Sequence, residues 1–267
     1  GAHRAIADEI ELASPEAVGM SSERLNRIRP FMQAYVDDGK LAGITTLVAR
    51  RGKVVHFESV GMAHAEADLP MRADTIVRIY SMSKPITSVA LMMLYEQGRV
   101  RLDAPVSEYI PEFADLRVYD EDNAEGVEPE RAMTVRDLLR HTSGLSYGWS
   151  DHPVDKAVEE ADVWAGTLEE MVMKLADIPL MYQPGSTWHY GLSTDVVGYI
   201  VQVVSGVSFD EYLRVEIFEP LGLVDTGFHV PADKLDRFAA TYGWPDDTDA
   251  LTVIDDPKTG RFASEAK

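Results

Sequence analysis

The feature that most constrains this chain is a serine and a lysine three residues apart at the start of an apolar segment. Ser81 and Lys84 stand just before residues 86–97, in which apolar side chains recur at helical spacing. Pro85 fits only the first turn of a helix, because it has no backbone N–H to donate. The pattern therefore predicts a buried helix that begins close to Ser81 and stops at Gly98.

The spacing of Ser81 and Lys84 indicates a nucleophile with its own base. Positions i and i+3 share a helix face, so the Lys84 amine can reach the Ser81 hydroxyl. Burial disfavours the ammonium form, so a lysine whose ordinary pKa is about 10.4 is expected to accept a proton near neutral pH. Ser-x-x-Lys also occurs by chance on exposed helices, but a lysine in apolar surroundings needs a partner or a task.

Residues 78–89 resemble the nucleophile segment of the serine β-lactamase and penicillin-binding-protein superfamily, in which the same Ser-x-x-Lys pattern occurs. The resemblance is to the class C branch and its family VIII carboxylesterases. It extends over nearly the whole chain through Leu-Leu-Arg-His-Thr-Ser-Gly-Leu at 138–145, Tyr-Gly-Leu-Ser-Thr-Asp at 190–195 and Phe-Glu-Pro-Leu-Gly-Leu at 218–223.

The resemblance implies a third site residue, Tyr190, because a tyrosine at this position meets the serine and lysine across the cleft in the superfamily. As a phenolate or proton relay it would deprotonate Ser81 and protonate the leaving group, with Lys84 holding its pKa down. Without the resemblance, a tyrosine near a helix start is expected only to pack and hydrogen-bond. β-Lactamases of this branch usually have Asn two positions later, where this chain has Leu192. That departure favours the esterase members.

A rival nucleophile is Ser146, at the centre of the Gly-x-Ser-x-Gly pattern formed by residues 144–148. In α/β-hydrolases this pattern needs a strand before it and a helix after it, whereas a short helix precedes it here. We therefore expect Ser146 to lie in a loop. His189 and Asp195 are available for a Ser-His-Asp triad, but His189 is expected to line or support the cleft beside Tyr190.

The order of elements predicts an α+β fold, with strands first, helices in the middle and mixed short elements afterwards. Residues 43–50 and 53–60 are expected to form an antiparallel hairpin. The resemblance implies a β-lactamase-like α/β sandwich, an antiparallel sheet flanked by helices, with an inserted helical region. We expect an α/β lobe made of residues 1–70 and 225–267, and a helical lobe of residues 71–224 that carries the nucleophile helix.

Local signals place several shorter elements. Thr134 with Asp137, and Thr167 with Glu170, form capping-box patterns that predict two short helices. Residues 120–130 are polar and charged without an apolar period, so they are expected to form an exposed loop.

The composition limits the partners. With 25 Lys and Arg against 45 Asp and Glu, the net charge is −20, which argues against binding nucleic acid or an anionic membrane. The absence of cysteine excludes disulfides, thiolate metal sites and cysteine nucleophiles. The seven histidines are scattered without metal-binding spacing, so we expect neither a metal nor another cofactor.

No apolar stretch is long enough to span a bilayer. Residues 1–9 lack the apolar core of a signal peptide, so a cytoplasmic location is expected, with secretion left open if a signal peptide was removed.

These observations predict a serine hydrolase that forms an acyl-enzyme at Ser81, a carboxylesterase acting on small-molecule esters with small or short acyl chains. One alternative is a β-lactamase or D-amino-acid peptidase of the same superfamily. Another, of a different class, is a non-catalytic binding protein that keeps the fold.

Lys258-Thr259-Gly260 resembles the superfamily's third motif, a Lys-Thr-Gly on a strand bordering the active site. It follows turn residues at 255–257, so we predict that it is not that motif. In relatives, a glycine-rich stretch, a helix and the remaining sheet strands come after such a segment. We therefore expect the α/β lobe to be incomplete here, and a companion segment or chain to supply the missing C-terminal strands and the true third motif.

Overall fold

The computed structural model describes residues 11–245 and 250–260. The chain divides into two compact units, one formed by residues 1–78 with 227–267 and the other by residues 79–226. The lobes expected from the sequence have their boundaries between residues 70 and 71 and between residues 224 and 225.

The first unit contains the hairpin that the sequence predicts. Strands β1 (Gly43–Arg50) and β2 (Lys53–His64) pair antiparallel, with Gly43 opposite Gly61 and Arg50 opposite Lys53. A short strand β3 (Leu69–Pro70) adds to the other side of β2 and gives the sheet order β1-β2-β3. The β-branched residues of both long strands suit this pleated, half-buried surface.

Two helices precede this sheet in the chain, and one of them packs against it. Helix α1 (Ser22–Leu25) is capped by the Ser21 side chain, and α2 (Ile28–Asp37) packs against β1 and β2. A second hairpin, β6 (Thr241–Gly243) with β7 (Thr252–Asp255), lies in the same unit. The antiparallel sheet with packed helices confirms the α+β class.

The tripeptide Lys258-Thr259-Gly260 lies in a turn directly after β7. The Asp256 carboxylate oxygen Oδ1 accepts hydrogen bonds from the backbone N–H groups of Lys258 at 2.8 Å and Thr259 at 3.0 Å. An aspartate side chain that bonds the backbone two residues onward stabilises such a turn. The Lys-Thr-Gly sequence is therefore not part of a strand in this structure.

The second unit is mainly helical. Its helices are α3 (Ser83–Glu96), α4 (Val135–Leu139), α5 (Pro153–Glu160), α6 (Leu168–Ala176), α7 (Ser193–Ser205) and α8 (Phe209–Leu213), and a π-helical turn follows at Arg214–Phe218. Helices α3 and α7 pack against each other at its centre. Leu91, Leu94 and Ile200 are fully buried in this core, and each contributes about 1.5–3 kcal/mol by leaving water.

Helix α3 is not buried on all sides, which corrects the expectation from its apolar sequence. Thr87, Ala90, Leu91 and Leu94 are buried, whereas Val89 is 51% exposed and Met92 and Tyr95 are also exposed. The helical period places these two sets on different faces. The described residues cover only one of them.

Both capping boxes are present at the starts of α4 and α6. The expected loop at 120–130 is only partly a loop, because β4 (Val118–Asp120) and β5 (Asn123–Val127) form a hairpin there. The Asn123 side chain donates to the Gly126 carbonyl at 2.7 Å. This turn chemistry offsets the absence of an apolar period.

Candidate active site

Ser81 lies in a single 3₁₀ turn, Tyr80–Met82, immediately before α3. Tyr80 has a φ of +42°, a conformation that costs a bulky residue about 1–3 kcal/mol. The side chain of Ser81 is exposed at the N-terminal end of a 14-residue helix. There the first backbone N–H groups have no intrahelical partner and the helix dipole is positive.

The structure brings Ser81, Lys84 and Tyr190 together. The Ser81 hydroxyl oxygen lies 2.6 Å from the Tyr190 hydroxyl oxygen, and Lys84 Nζ donates to Ser81 Oγ at 3.3 Å. Lys84 Nζ also lies 4.7 Å from the centroid of the Tyr190 ring. The three polar atoms form one connected group, in which a proton can pass from serine to tyrosine beside an ammonium.

A close backbone contact positions Tyr190. The next residue, Gly191, lies against Leu145 so closely that an added Cβ would sit 2.1 Å from the Leu145 carbonyl oxygen. The preceding residue, His189, donates its backbone N–H to the His141 carbonyl at 2.8 Å. Tyr190 is therefore held on both sides just before α7 begins.

The charge state of Lys84 differs from the expectation. Burial favours the neutral amine, but interactions with the hydroxyls of Tyr147 and Tyr190 raise the pKa of Lys84 above its ordinary value. Hydrogen bonds from Lys84 and Ser81 lower the pKa of Tyr190. These two shifts favour the ammonium form of Lys84 and the phenolate form of Tyr190, which makes the tyrosine the better proton acceptor.

Sequence reasoning missed His141, whose ring centroid lies 4.8 Å from that of Tyr190. Burial, together with the nearby Lys84, lowers the pKa of His141, which favours the neutral imidazole. Its Nδ1 accepts a long 3.5 Å hydrogen bond from the Gly191 N–H. His141 lies in the 138–145 segment, so that resemblance was the available signal.

Tyr147 was also missed, although it lies inside the Gly-x-Ser-x-Gly pattern. Its hydroxyl interacts with Lys84, and its ring centroid lies 5.3 Å from that of Tyr190. The pattern drew attention to the serine and not to its neighbour.

Ser146 lies in a loop, as predicted, and is only 3% exposed. Its hydroxyl donates to the Asp155 carboxylate and lies 2.9 Å from Nε2 of His189. In a Ser-His-Asp triad the histidine stands between serine and acid, whereas here the serine stands between the other two. Asp195 takes no part in this group, and burial raises the pKa of its carboxyl group.

Leu192 is fully buried at the start of α7. This position therefore directs no polar side chain toward Ser81. Across residues 11–245 and 250–260, no three His, Cys, Asp or Glu side chains are grouped so as to hold a metal ion. Within the same ranges, no helix has the length and apolarity needed to cross a bilayer.

Comparison with known proteins identifies the family of this chain. The family model described as Beta-lactamase matches residues 28–264. The chain belongs to the beta-lactamase family. This membership confirms the resemblance drawn from the Ser-x-x-Lys segment and the β-lactamase-like fold.

The proteins similar to this chain include one named as an esterase and one named as a hydrolase. Esterase EstB of Burkholderia gladioli is 36% identical over 222 residues, which cover 81% of this chain and 54% of EstB. The solved structure of EstCE1, a hydrolase with promiscuous acyltransferase activity, superposes with a TM-score of 0.78 at 31% identity, covering 88% of this chain and 60% of that one.

A class C beta-lactamase from Rhodobacter sphaeroides also shares the fold, with a TM-score of 0.62 at 26% identity, over 85% of this chain and 57% of that one. The chain spans about half the length of the curated relatives it matches.

Proposed function

We propose that this beta-lactamase-family chain carries the catalytic centre of a serine carboxylesterase that forms an acyl-enzyme at Ser81. The observation that carries the proposal is the 2.6 Å contact between the hydroxyls of Ser81 and Tyr190, with Lys84 bonded to the same serine. A serine hydroxyl is a weak nucleophile until a neighbouring base takes its proton. The substrate is a small-molecule ester with a small or short acyl chain.

In the proposed reaction, the Tyr190 phenolate takes the Ser81 proton as Oγ attacks the ester carbonyl. The Lys84 ammonium stabilises the phenolate, whose pKa it lowers. The Ser81 N–H, at the positive end of α3, donates to the oxyanion that forms. The Tyr190 hydroxyl then returns the proton to the departing alcohol, and the acyl group remains on Ser81.

Deacylation follows the same route in reverse. Tyr190 accepts a proton from an incoming water, which attacks the acyl carbonyl, and the proton then returns to Ser81 Oγ. If an alcohol takes the place of water, the acyl group is transferred to it. The EstCE1 hydrolase with promiscuous acyltransferase activity supports transfer as a second outcome at the same site.

The buried Leu192 supports an esterase over the β-lactamase or D-amino-acid peptidase alternative. An amide at this position would offer a polar partner to a lactam side chain, but Leu192 is enclosed in the core. A site without that partner loses discrimination for amide-bearing substrates.

A fluorophosphonate probe tests the nucleophile. Intact-mass and peptide analysis of the labelled protein should place one adduct on Ser81, and Ser81→Ala should abolish it. A non-catalytic binding protein would leave Ser81 unlabelled, which would end the proposal.

The substrate class is tested with 4-nitrophenyl acetate and butyrate beside a chromogenic cephalosporin. We expect turnover of the esters to exceed that of the lactam in kcat/KM. Faster turnover of the lactam would support the β-lactamase alternative.

A further inference from the structure

Two tyrosine hydroxyls, not one, interact with the Lys84 amine. Besides Tyr190, the hydroxyl of Tyr147 interacts with Lys84, whose Nζ lies 5.6 Å from the centroid of the Tyr147 ring. Tyr147 is 8% exposed, so little water competes for its hydroxyl. Lys84 is partly buried, so its ammonium needs acceptors to remain charged, and the Tyr147 hydroxyl is one of them.

The loop around Tyr147 is fixed by a carboxylate that has no part in the proposed reaction. Asp155, on α5, accepts hydrogen bonds from the Ser146 hydroxyl and from the Gly148 N–H at 3.0 Å. Both neighbours of Tyr147 are thus tied to one buried group. The Ser146 hydroxyl also lies 2.9 Å from Nε2 of His189, the residue before Tyr190. This contact links the loop to the segment that carries Tyr190.

Aromatic stacking fixes the ring itself. The Tyr147 ring stacks on Trp149 with centroids 4.2 Å apart and an interplanar angle of 6°. It is also nearly parallel to Trp164, at 5.8 Å and 8°. Stacked aromatic pairs gain energy beyond their buried area. The ring is therefore held in plane while its hydroxyl interacts with Lys84.

We propose that Tyr147 is a positioning residue, which holds the Lys84 ammonium in place toward Ser81 and Tyr190. The inference rests on the proposed function of Ser81 and Tyr190. In this arrangement, the Gly-x-Ser-x-Gly pattern serves to orient its tyrosine, and Ser146 is an anchor of that loop.

Several titratable groups face Lys84 from the elements around it. Tyr147 and His141 follow α4, Tyr190 precedes α7, and Asp195 lies in the first turn of α7. The Tyr147 hydroxyl raises the pKa of Lys84. Removing that hydroxyl should therefore allow Lys84 to lose its proton at lower pH. If Tyr147 only packed, removing its hydroxyl would leave the pKa of Lys84 unchanged.

The test compares Tyr147→Phe with Tyr212→Phe in the whole protein. Tyr147→Phe keeps the ring and its stacking but removes the hydroxyl. Tyr212 is a matched control, because its buried hydroxyl has no hydrogen-bond partner among the described residues. The measurements are kcat/KM for 4-nitrophenyl acetate from pH 5 to 11, the rate of Ser81 labelling by a fluorophosphonate, and the melting temperature.

For Tyr147→Phe we expect kcat/KM at pH 8 to fall roughly 10- to 100-fold, the effect of losing one hydrogen bond to a charged group. The alkaline limb of the pH profile should also move to lower pH. Tyr212→Phe should match the wild type in both measurements. An unchanged rate, or a lower rate with an unmoved alkaline limb, would overturn the positioning role.

A second variant covers the case in which Tyr147→Phe is unstable. If Tyr147→Phe melts well below the wild type, Ser146→Ala serves instead, because it keeps the Tyr147 hydroxyl and loosens its loop. It should shift the alkaline limb in the same direction with less than about tenfold loss of rate, since the Tyr147 hydroxyl itself is kept. An unmoved alkaline limb in Ser146→Ala would also count against the inference.

The probe distinguishes failure of this inference from failure of the proposed function. If wild-type Ser81 does not react with the fluorophosphonate, both are refuted. If wild-type Ser81 is labelled but Tyr147→Phe behaves like the wild type, only the inference is refuted.

Discussion

The Tyr190 hydroxyl oxygen lies 2.6 Å from the Ser81 hydroxyl oxygen, although 109 residues separate the two in the sequence. Lys84 follows Ser81 by one helical turn, and its Nζ donates to the same Ser81 oxygen at 3.3 Å. Local helix geometry therefore brings the Lys84 ammonium to Ser81, and the tertiary fold brings the Tyr190 hydroxyl to the same serine.

Ser81→Ala should abolish ester hydrolysis, because the Ser81 hydroxyl lies beside both the Lys84 ammonium and the Tyr190 hydroxyl. Ser146→Ala is the matched control and should remain within about tenfold of the wild type, since Ser146 is buried and bonded to Asp155. Initial rates with 4-nitrophenyl butyrate decide between them. Equal loss in both variants would mean that Ser81 has been wrongly assigned.

Tyr190→Phe should lower kcat by about 100-fold or more with the fold preserved, because it removes the proposed proton acceptor and keeps the ring. The tilted ring contact with His141 does not need the hydroxyl. Rates and circular dichroism of the same sample measure both effects. Activity close to that of the wild type would exclude Tyr190 from the chemistry.

The pH dependence follows from the directions of two pKa shifts. Activity should rise with pH through the pKa of Tyr190, which lies below its ordinary value of about 10, and fall through the raised pKa of Lys84. Lys84→Ala should move the acid limb upward, because the ammonium no longer stabilises the phenolate, and should lower kcat by several orders of magnitude. A tenfold loss with an unmoved acid limb would give Lys84 a structural role only.

Gly191→Ala should displace Tyr190, since the new Cβ would sit 2.1 Å from the Leu145 carbonyl oxygen. We expect a stability loss of about 1–3 kcal/mol from overpacking and a fall in kcat of at least about tenfold from misplacement of the hydroxyl. Gly227→Ala is a suitable control, because the nearest atom there is 3.8 Å away. Chemical denaturation and initial rates should separate the two variants, and similar values for both would show that the close contact is unimportant.

Asp137 should stabilise the second unit in a pH-dependent way. Burial opposes its charge, but hydrogen bonds from Arg131, Thr134 and Thr142 lower its pKa to about 2. Because the folded value is below the unfolded value of about 3.9, this stability is fully present above pH 4 and is lost as the pH falls toward 2.

Asp137→Asn should therefore cost about 2 kcal/mol at pH 7, with the difference from the wild type narrowing at pH 3. Urea denaturation at both pH values measures it. Asp103→Asn, which removes an exposed carboxylate paired with Arg136, should change stability little. A constant difference for Asp137→Asn across pH would contradict the assigned charge.

The sequence alone determined the Ser-x-x-Lys segment and the fold class. Ser81 and Lys84 are three residues apart, so helix geometry fixes their proximity without any distant contact. The β1–β2 hairpin and both capping boxes were predictable for the same reason, because each depends on residues close together in the chain. The motifs of the beta-lactamase family extended this local information to Tyr190, which the residues by themselves did not single out.

The tertiary structure decided the charge of Lys84 and the place of Tyr147. The sequence predicted that burial would lower the pKa of Lys84, but two hydroxyls from distant segments raise it. It also indicated Ser146 as a rival nucleophile, whereas the folded chain ties that serine to Asp155 and His189. Such outcomes depend on the sum of burial and contacts at one atom, and these contacts exist only once segments far apart in the sequence have packed together.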